Sequence, residues 1–485
     1  MRVHQANDDE TRADVSIRRT DSRDTMTSSG TTGPGRPTAD RPHHTFRTVF
    51  PVLALCWLAV FFDGMDVNIY GAVMPHMLDD PGLGLTPASA GSIGSWTAFG
   101  MFFGALAAGN VTDWLGRRPT LVASVVLFSL GSAVCALAGD PTLFGAGRFL
   151  AGIGLGGLTP LALAMVLEFA PPGRAALTTG LLMSSYHAGG MAATGIGLGL
   201  APAAGWRAVF WAGVLPALIA VPLLLKYLPE SPGVLLARGD RTRADAVADR
   251  YGLPRPTPVQ APAAGAKGRL AAVRALFHPE SRWATLLLWL ASFCGLVLVY
   301  GISTWLPQMM RASGYGLSSS VTFLMVINAG GIVGMFVAGR AADRFGPAKI
   351  SALWFALTAA GALLLKSHLP LGVTYAVIAL TGVVLFSAQV MVYAVTGTVY
   401  RDSERAAGLG MVTGVGRMGA AFGPWLIGVL AATGSQTMGF TAFALAGLLG
   451  AAAIALVPLA RRRGAPGVTA RQTAATGGEA AQRRG

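Results

Sequence analysis

From Val49 onward the chain is a succession of apolar blocks separated by short polar connections. Twelve such blocks can be marked, at about 49–71, 90–111, 119–139, 143–167, 176–199, 207–228, 284–308, 319–341, 349–367, 371–397, 406–430 and 437–460. Most approach the ~20 residues that a helix needs to cross a ~30 Å hydrocarbon core. The pattern predicts an all-α membrane protein with twelve transmembrane helices. The blocks fall six and six, giving two pseudo-symmetric six-helix bundles at 47–228 and 284–461. A polar cytoplasmic linker at 229–283 lies between them. Within the linker, RGDRTRADAVADRYG (238–252) reads as a short surface helix and PRPTPVQAPAAGAKG (254–268) as a flexible connector. Residues 1–46 and 462–485 read as cytoplasmic tails. The first is expected to be disordered and has no apolar run of the kind a secretory signal requires.

Composition excludes the alternative that length alone allows. A chain of 485 residues could form about three soluble domains. However, 53% of this one is hydrophobic and 12% charged, about half the charge of a soluble globular chain. Mean hydropathy is +0.54. The 64 glycines suit close helix packing in a membrane. The glycine string GIGLGG (152–157) is read the same way, because it lies in an apolar block with no strand before it to make a nucleotide site. Cys56, Cys135 and Cys294 each sit in an apolar run, without metal-ligand spacing, and read as small hydrophobes.

A net charge of +14 raises nucleic-acid binding as a possibility, so the placement of the charges decides. All but five of the 37 lysines and arginines fall in the tails, the linker and the connections on the linker's side. Arg207, Arg311 and Lys366 lie on the other side, and Arg148 and Arg417 inside spans. That bias is the positive-inside rule. It predicts a multi-pass protein of the plasma (inner) membrane with both termini cytoplasmic, whose partner is the lipid bilayer and not nucleic acid.

Ionisable groups inside spans are costly and mark function by default. Asp63 and Asp66 are three apart on the first helix, sharing a face well inside the membrane. Burial and mutual repulsion favour the neutral form of at least one, which suits proton uptake and release. The bland alternative is that they pair with polar neighbours and hold the bundle. Arg417 lies midway along the eleventh span, about 18 Å in at 1.5 Å per residue. It cannot shed its charge, and its planar fork matches a carboxylate, so it is a docking point for an organic anion, exchanging with Asp63 or Asp66, or else half of a permanent ion pair. Trp305 and Tyr300 of the seventh span offer ring faces, as do Tyr186, Tyr393 and Trp96 in or near other spans. His187, Asn328 and Gln389 offer hydrogen bonds to a ring substituent. Each of these also has a plain packing role available.

The two halves echo one another. GNVTDWLGRRPT (109–120) follows the second span and GRAADRFGPAKI (339–350) the eighth, both reading Gly-x-x-x-Asp-x-x-Gly. Six plus six spans with such a repeat are the layout of a two-lobed transporter with its site between the lobes. GNVTDWLGRR resembles the loop signature of the major facilitator superfamily. GRFLAGIGLGG (147–157) is similar to its fourth-span motif and PESPGVLLARG (229–239) to its end-of-first-half motif. DGMDVNIYGAVMP (63–75) resembles the Asp-Gly-x-Asp signature of the aromatic acid:proton symporter family. GWRAVFWAGVLP (205–216), TWLPQMM (304–310) and GVGRMGAAFGP (414–424) are further similar stretches.

The resemblance implies a monomeric secondary transporter, not an enzyme and without cofactors, that takes up a proton with a small aromatic carboxylate such as benzoate or a hydroxybenzoate by alternating access. It adds Arg148, in a superfamily-wide motif, to Asp63 and Asp66 as a proton-coupling residue. It also implies a conformational latch of Gly109, Asp113, Gly116, Arg117, Arg118, Glu168 and Asp343 that holds the outward-open state. In that latch Asp113 accepts from a helix N-terminus and Arg117 and Arg118 pair with acids such as Glu168. The second-half copy departs from the pattern, with Pro347 and Ala348 where the first has Arg117 and Arg118. An exporter of the same superfamily is the alternative, weakened because 181–197 lacks the proline of the usual exporter signature. A non-transporting membrane receptor is a further alternative.

Overall fold

The apolar blocks fold as helices, most of which run past the blocks at one end or both. The computed structural model describes residues 46–255, 273–279, 281–434 and 436–464. The two tails, apart from Phe46 and 462–464, and most of the Pro/Ala-rich connector lie outside the described residues. Fourteen helices are laid out along them. The first half has α1 (Phe46–Leu78), α2 (Pro87–Leu115), α3 (Arg117–Leu137), α4 (Pro141–Phe169), α5 (Ala175–Ala212) and α6 (Leu215–Tyr227). Two short linker helices follow, α7 (Pro232–Ala237) and α8 (Arg241–Tyr251). The second half has α9 (Arg282–Ala312), α10 (Leu317–Phe345), α11 (Pro347–Leu365), α12 (Leu371–Val399), α13 (Asp402–Ala432) and α14 (Gln436–Gly464).

Ten helical stretches are long and apolar enough to cross a membrane. One of them, Ala175–Tyr227, has 53 residues, roughly twice what a single crossing needs. It is broken at Gly205, whose φ of 79° is open to glycine and interrupts the helix, so it supplies two crossings. Helix α2 has 29 residues, enough to span, but its serines, threonines and Asn110 dilute its hydropathy. With α2 included and the long stretch divided, twelve membrane-length segments stand among the described residues, six on each side of the linker.

Ends are set by local chemistry. Thr86 and Ser89 form a reciprocal capping box at the start of α2, and the Asp140 carboxylate accepts from the Thr142 and Leu143 amides at the start of α4. In the linker, Asp240 caps α8 and Gly252 closes it in the left-handed region, forming the surface helix expected there.

Glycines on facing helices bring the backbones together, in the same way in both halves. A Cβ on Gly100 or Gly152 would lie 2.2 Å from a carbonyl oxygen across the α2–α4 contact. The α10–α12 contact repeats this at Gly330, Gly334 and Gly382, at 2.1–2.3 Å. Gly156, within the GIGLGG string, is equally tight at 2.1 Å from the Met101 oxygen, so the string serves close packing.

The halves meet on the side away from the linker. There Gly71 abuts the Ser303 carbonyl, Gly91 abuts Gly428, and Ser95 Oγ donates to the Ala421 carbonyl at 2.5 Å. Arg311 of α9 pairs with Asp79 at 2.7 Å and also donates to the Pro75 carbonyl. Toward the linker side of α2 and α13, Gly109, Gly410 and Gly414 have open space where a Cβ would sit.

Candidate functional site

Asp63 and Asp66 share a stretch of α1 but serve different partners. Three residues turn a helix by about 300°, so their side chains diverge by about 60°. Asp66 is fully buried and pairs with Arg148 of α4, Oδ2 to Nη1 at 2.9 Å. Its Oδ1 accepts from Ser132 Oγ of α3 at 2.5 Å, and Arg148 Nε donates to Thr97 Oγ1 of α2 at 3.1 Å. The guanidinium carbon also sits 5.7 Å from the Tyr70 ring centroid. Both charges are thus neutralised and hydrogen-bonded inside one half, the condition under which a buried pair is tolerated. Ser132 and Thr97 carry no motif, and as small hydroxyls in apolar runs they leave no sequence signal of this role.

Asp63 is also buried, and it accepts a hydrogen bond from Thr159 Oγ1 of α4 at 2.5 Å. No ion pair reaches it among the described residues; the cation acting on it is Arg417, from the other half. Arg417 does not pair with either aspartate in this structure. Its Nη2 donates across the seam to the Gly156 carbonyl of α4 at 3.2 Å, and it forms no ion pair among the described residues. Tyr186, Tyr300 and Tyr393 lie within its electrostatic reach. Arg417 thus lies mid-span between the two halves, hydrogen-bonded to one neutral carbonyl, with Asp63 and the three tyrosines within its electrostatic influence.

The remaining candidates divide. Tyr300 reaches the other half through Met101 Sδ at 3.5 Å. His187 and Asn328 contact each other, Nδ1 to Oδ1 at 3.2 Å, also across the halves. Trp305 is buried and its indole N–H is satisfied by the Pro424 carbonyl at 2.9 Å, which makes it a packing element of α9 on α13 here. Gln389 points into the interior of the second bundle. Its Nε2 donates to Ser292 Oγ at 3.2 Å, while its Oε1 lies against Gly295 with no partner.

The loop cluster separates into two parts. One is intact and lies wholly in the first half and linker: Arg117 Nη1 pairs with Glu168 at 2.5 Å, and Glu168 also accepts from the Ser231 hydroxyl and the Gly233 amide. Glu230 accepts from the backbone amides of Arg117 and Arg118, at the N-terminus of α3. A carboxylate there faces the positive end of the helix dipole. Glu230 therefore holds the N-terminus of α3; its signal was its place in PESPGVLLARG. Arg118 turns to the Leu225 carbonyl instead of an acid. The other part, facing the second half, is disengaged. Asp113 and Asp343 are exposed, and Gly109 has nothing within 4 Å. Gly116 and Gly346, at equivalent positions, have φ of 105° and 87° and make the two matching breaks.

On the far side, Asp80 accepts from the Trp206 indole at 2.8 Å and from Arg207 at 3.1 Å. The Trp206 bond, with help from the Gly82 amide and Arg207, holds its carboxyl below the usual carboxylate range despite partial burial. Among the described residues, no group of three or more His, Cys, Asp or Glu could hold a metal ion.

Two six-helix bundles joined by a linker, with intramembrane charges between them and a matching loop in each half, have the layout of a two-lobed membrane transporter. The sequence matches the profile of the Major Facilitator Superfamily over residues 56–392 and 329–481. It is 33% identical over 393 residues to the benzoate transport protein of Acinetobacter baylyi, covering 78% of this chain and 83% of that one. To the gentisate transporter of Corynebacterium glutamicum it is 31% identical, over 83% of this chain and 86% of that one. The inward-open xylose transporter XylE from E. coli shares the fold, with a TM-score of 0.67, 16% identity, and coverage of 84% of this chain and 95% of that one. The chain belongs to the major facilitator superfamily, and within it to the aromatic acid:proton symporter family. It is a transporter rather than an enzyme.

Proposed function

We propose that this protein carries a small aromatic carboxylate, of the benzoate and hydroxybenzoate class, inward together with a proton. It acts as a monomer in the plasma (inner) membrane with both termini cytoplasmic. The observation that carries the reading is Arg417: a guanidinium in the middle of α13 with a neutral carbonyl for a partner and Asp63 as the facing acid. A carboxylate ligand offers that fork two parallel charge-assisted bonds, roughly twice as strong as neutral ones, and so displaces the Gly156 contact. Phenol rings beside it suit an aromatic ring. The names of the relatives, benzoate and gentisate carriers, support the same substrate class.

In the proposed cycle Asp63 exchanges the proton, because it has no fixed counter-ion, whereas Asp66 is occupied by Arg148. With the proton on Asp63 and the substrate on Arg417, charge between the lobes is balanced and they rock. The structure then represents the cytoplasm-open state, with open space at Gly109, Gly410 and Gly414 and the far side closed by Arg311–Asp79. The latch residues Gly109, Asp113 and Asp343 engage in the opposite state.

The test is uptake of labelled benzoate and 4-hydroxybenzoate into proteoliposomes with and without an inside-alkaline pH gradient. The gradient is expected to accelerate uptake. Equal rates in the two conditions sink proton coupling, and failure to move any aromatic acid sinks the substrate class.

A further inference from the structure

Asn68 belongs to none of the groups above, yet it is fully buried in α1, two residues beyond Asp66. Its Nδ2 donates one turn back to the Gly64 carbonyl at 2.8 Å, and its Oδ1 accepts from Asn328 Nδ2 of α10 at 3.2 Å. Gly64 directly follows Asp63, so Asn68 holds a peptide adjoining that carboxylate. Asn328 Nδ2 also donates to its own Leu324 carbonyl at 2.8 Å, and Asn328 Oδ1 faces His187 Nδ1 of α5.

The orientations of both amides follow from chemistry. The Gly64 and Leu324 carbonyls can only accept, so each must face an NH2 group. That leaves Asn328 Oδ1 toward the imidazole, which must carry a proton on Nδ1 to complete the bond. An unbroken line of donors then runs from His187 through Asn328 and Asn68 to Gly64. It passes from the first half to the second and back. Glycines make the room: a Cβ on Gly190 would lie 2.7 Å from Asn328 Oδ1 and 2.9 Å from Asn68 Nδ2, and one on Gly331 would lie 2.8 Å from the His187 ring. The charged and titratable groups around this line are Asp63 and Asp66 of α1, Arg148 of α4, Tyr186 and His187 of α5, and Arg417 of α13.

We infer that Asn68 is a positioning residue for proton coupling: through Asn328 it ties the Asp63–Gly64 turn of α1 to the opposite half, so that movement of α10 and the surroundings of Asp63 change together. This rests on the proton-coupled reading above. Asn68 touches neither proton nor substrate, and acts by making the state of the lobes felt at Asp63.

The test uses the full chain in proteoliposomes with labelled benzoate in two assays: net uptake driven by a pH gradient, and exchange against internal benzoate with no gradient. In Asn68→Ala and in Asn328→Ala, the acceleration by the gradient is expected to fall by roughly 10-fold, the scale of one buried hydrogen bond. In Asn68→Ala exchange should keep to within about 3-fold of wild type, which also shows that the variant folds. Asn328→Ala leaves the Asn68–Gly64 bond in place and is read only by the ratio of uptake with and without the gradient, so an effect there separates coupling across the halves from local support of α1. The double variant's ratio should be no worse than that of either single one. A wild-type ratio in Asn328→Ala, or parallel losses in both assays in Asn68→Ala, overturns the inference. A wild type that exchanges benzoate without responding to the gradient sinks the proton-coupled reading itself, and the inference with it.

Discussion

Arg148 and Asp66 can be removed singly or together, and the three variants should behave very differently. The pair is 2% and 0% exposed, with Nη1 and Oδ2 2.9 Å apart. Leaving one member of such a pair without the other costs about 3–5 kcal/mol, because an uncompensated charge stays buried. The two single losses are not equivalent. In Arg148→Met the stranded carboxylate keeps the Ser132 hydroxyl and can become neutral by binding a proton. In Asp66→Leu the stranded guanidinium keeps only Thr97 and the Tyr70 ring, and it cannot deprotonate. Arg148→Met is therefore placed near 3 kcal/mol and Asp66→Leu near 5 kcal/mol. The double variant exchanges two charges for two hydrophobes of similar bulk, a replacement that is often neutral, so its cost should be under about 1.5 kcal/mol. A coupling energy of several kcal/mol follows. The assay is reversible unfolding of the purified protein in mixed detergent micelles, with all four proteins compared at pH 7. A coupling energy below about 0.5 kcal/mol, the level at which separate sites simply add, refutes the reasoning. So does Arg148→Met emerging as the more damaging single change.

Three further outcomes follow from other parts of the molecule. Replacing Arg417 with Gln should raise KM for an aromatic carboxylate by about 10- to 100-fold, with Arg417→Lys in between because a point charge lacks the fork; a wild-type KM in the lysine variant rules out forked docking. The Asp80 carboxyl is held below its ordinary range, so its contribution to stability is full above the unfolded-state value and is lost as pH falls through the lower folded value. Asp80→Asn should accordingly melt earlier than wild type at pH 7, by an effect of about 1 kcal/mol at this partly exposed site, with the gap closing toward pH 3; a gap that widens in acid contradicts the assignment. Gly116→Ala should be more harmful to thermal stability than Gly346→Ala: both incur the strain of a positive φ, about 1–3 kcal/mol, but only the first sets a Cβ 2.3 Å from the Glu230 carboxylate. Equal losses would mean that Glu230 yields freely.

The membrane architecture was legible because a bilayer imposes a length and a polarity on every crossing, and because basic residues mark one side. The break within Ala175–Tyr227 was legible as a gap between two apolar blocks, though not as a single strained glycine at 205. Intramembrane Asp63, Asp66, Arg148 and Arg417 stood out for the same reason, as charges where charge is costly. Their pairing was not legible. Spacing of three along α1 puts both acids on one broad face, but the 60° between them sends one to Arg148 and the other to Thr159, and only the packed position of α4 decides which. Partners such as Ser132, Thr97, Thr159 and Asn68 are small polar residues in apolar runs, of which a membrane helix has many. The hold of Glu230 on the start of α3 was not legible, because it depends on a residue 113 positions away folding back beside Arg117.

The repeat in the sequence hides an asymmetry that bears on how the lobes move. In the first half, the loop after α2 is fastened on three sides: Glu230 holds the amides at the start of α3, Arg117 holds Glu168 at the end of α4, and Glu168 holds Ser231 and Gly233 at the start of α7. All of these bonds stay within the first half and the linker's beginning, so opening the α2–α13 seam breaks none of them. The second-half loop has Pro347 and Ala348 in place of the two arginines, and its Asp343 is exposed. The proline removes an amide donor, and neither side chain can pair with an acid as Arg117 does with Glu168. The charged bonds at this end of the first half tie its loop to the start of the linker. Between the lobes stand the charge-assisted Arg417–Gly156 bond, the neutral Ser95–Ala421 bond, the amide line through Asn328 and, on the far side, the partly exposed Arg311–Asp79 ion pair. Neutral hydrogen bonds of about 1 kcal/mol, charge-assisted ones of about 1.5–3 kcal/mol and an exposed ion pair of about 0–1 kcal/mol are small enough each to form and break as the lobes move. Two states must remain within a few kcal/mol of one another if a proton and a substrate are to shift the balance between them.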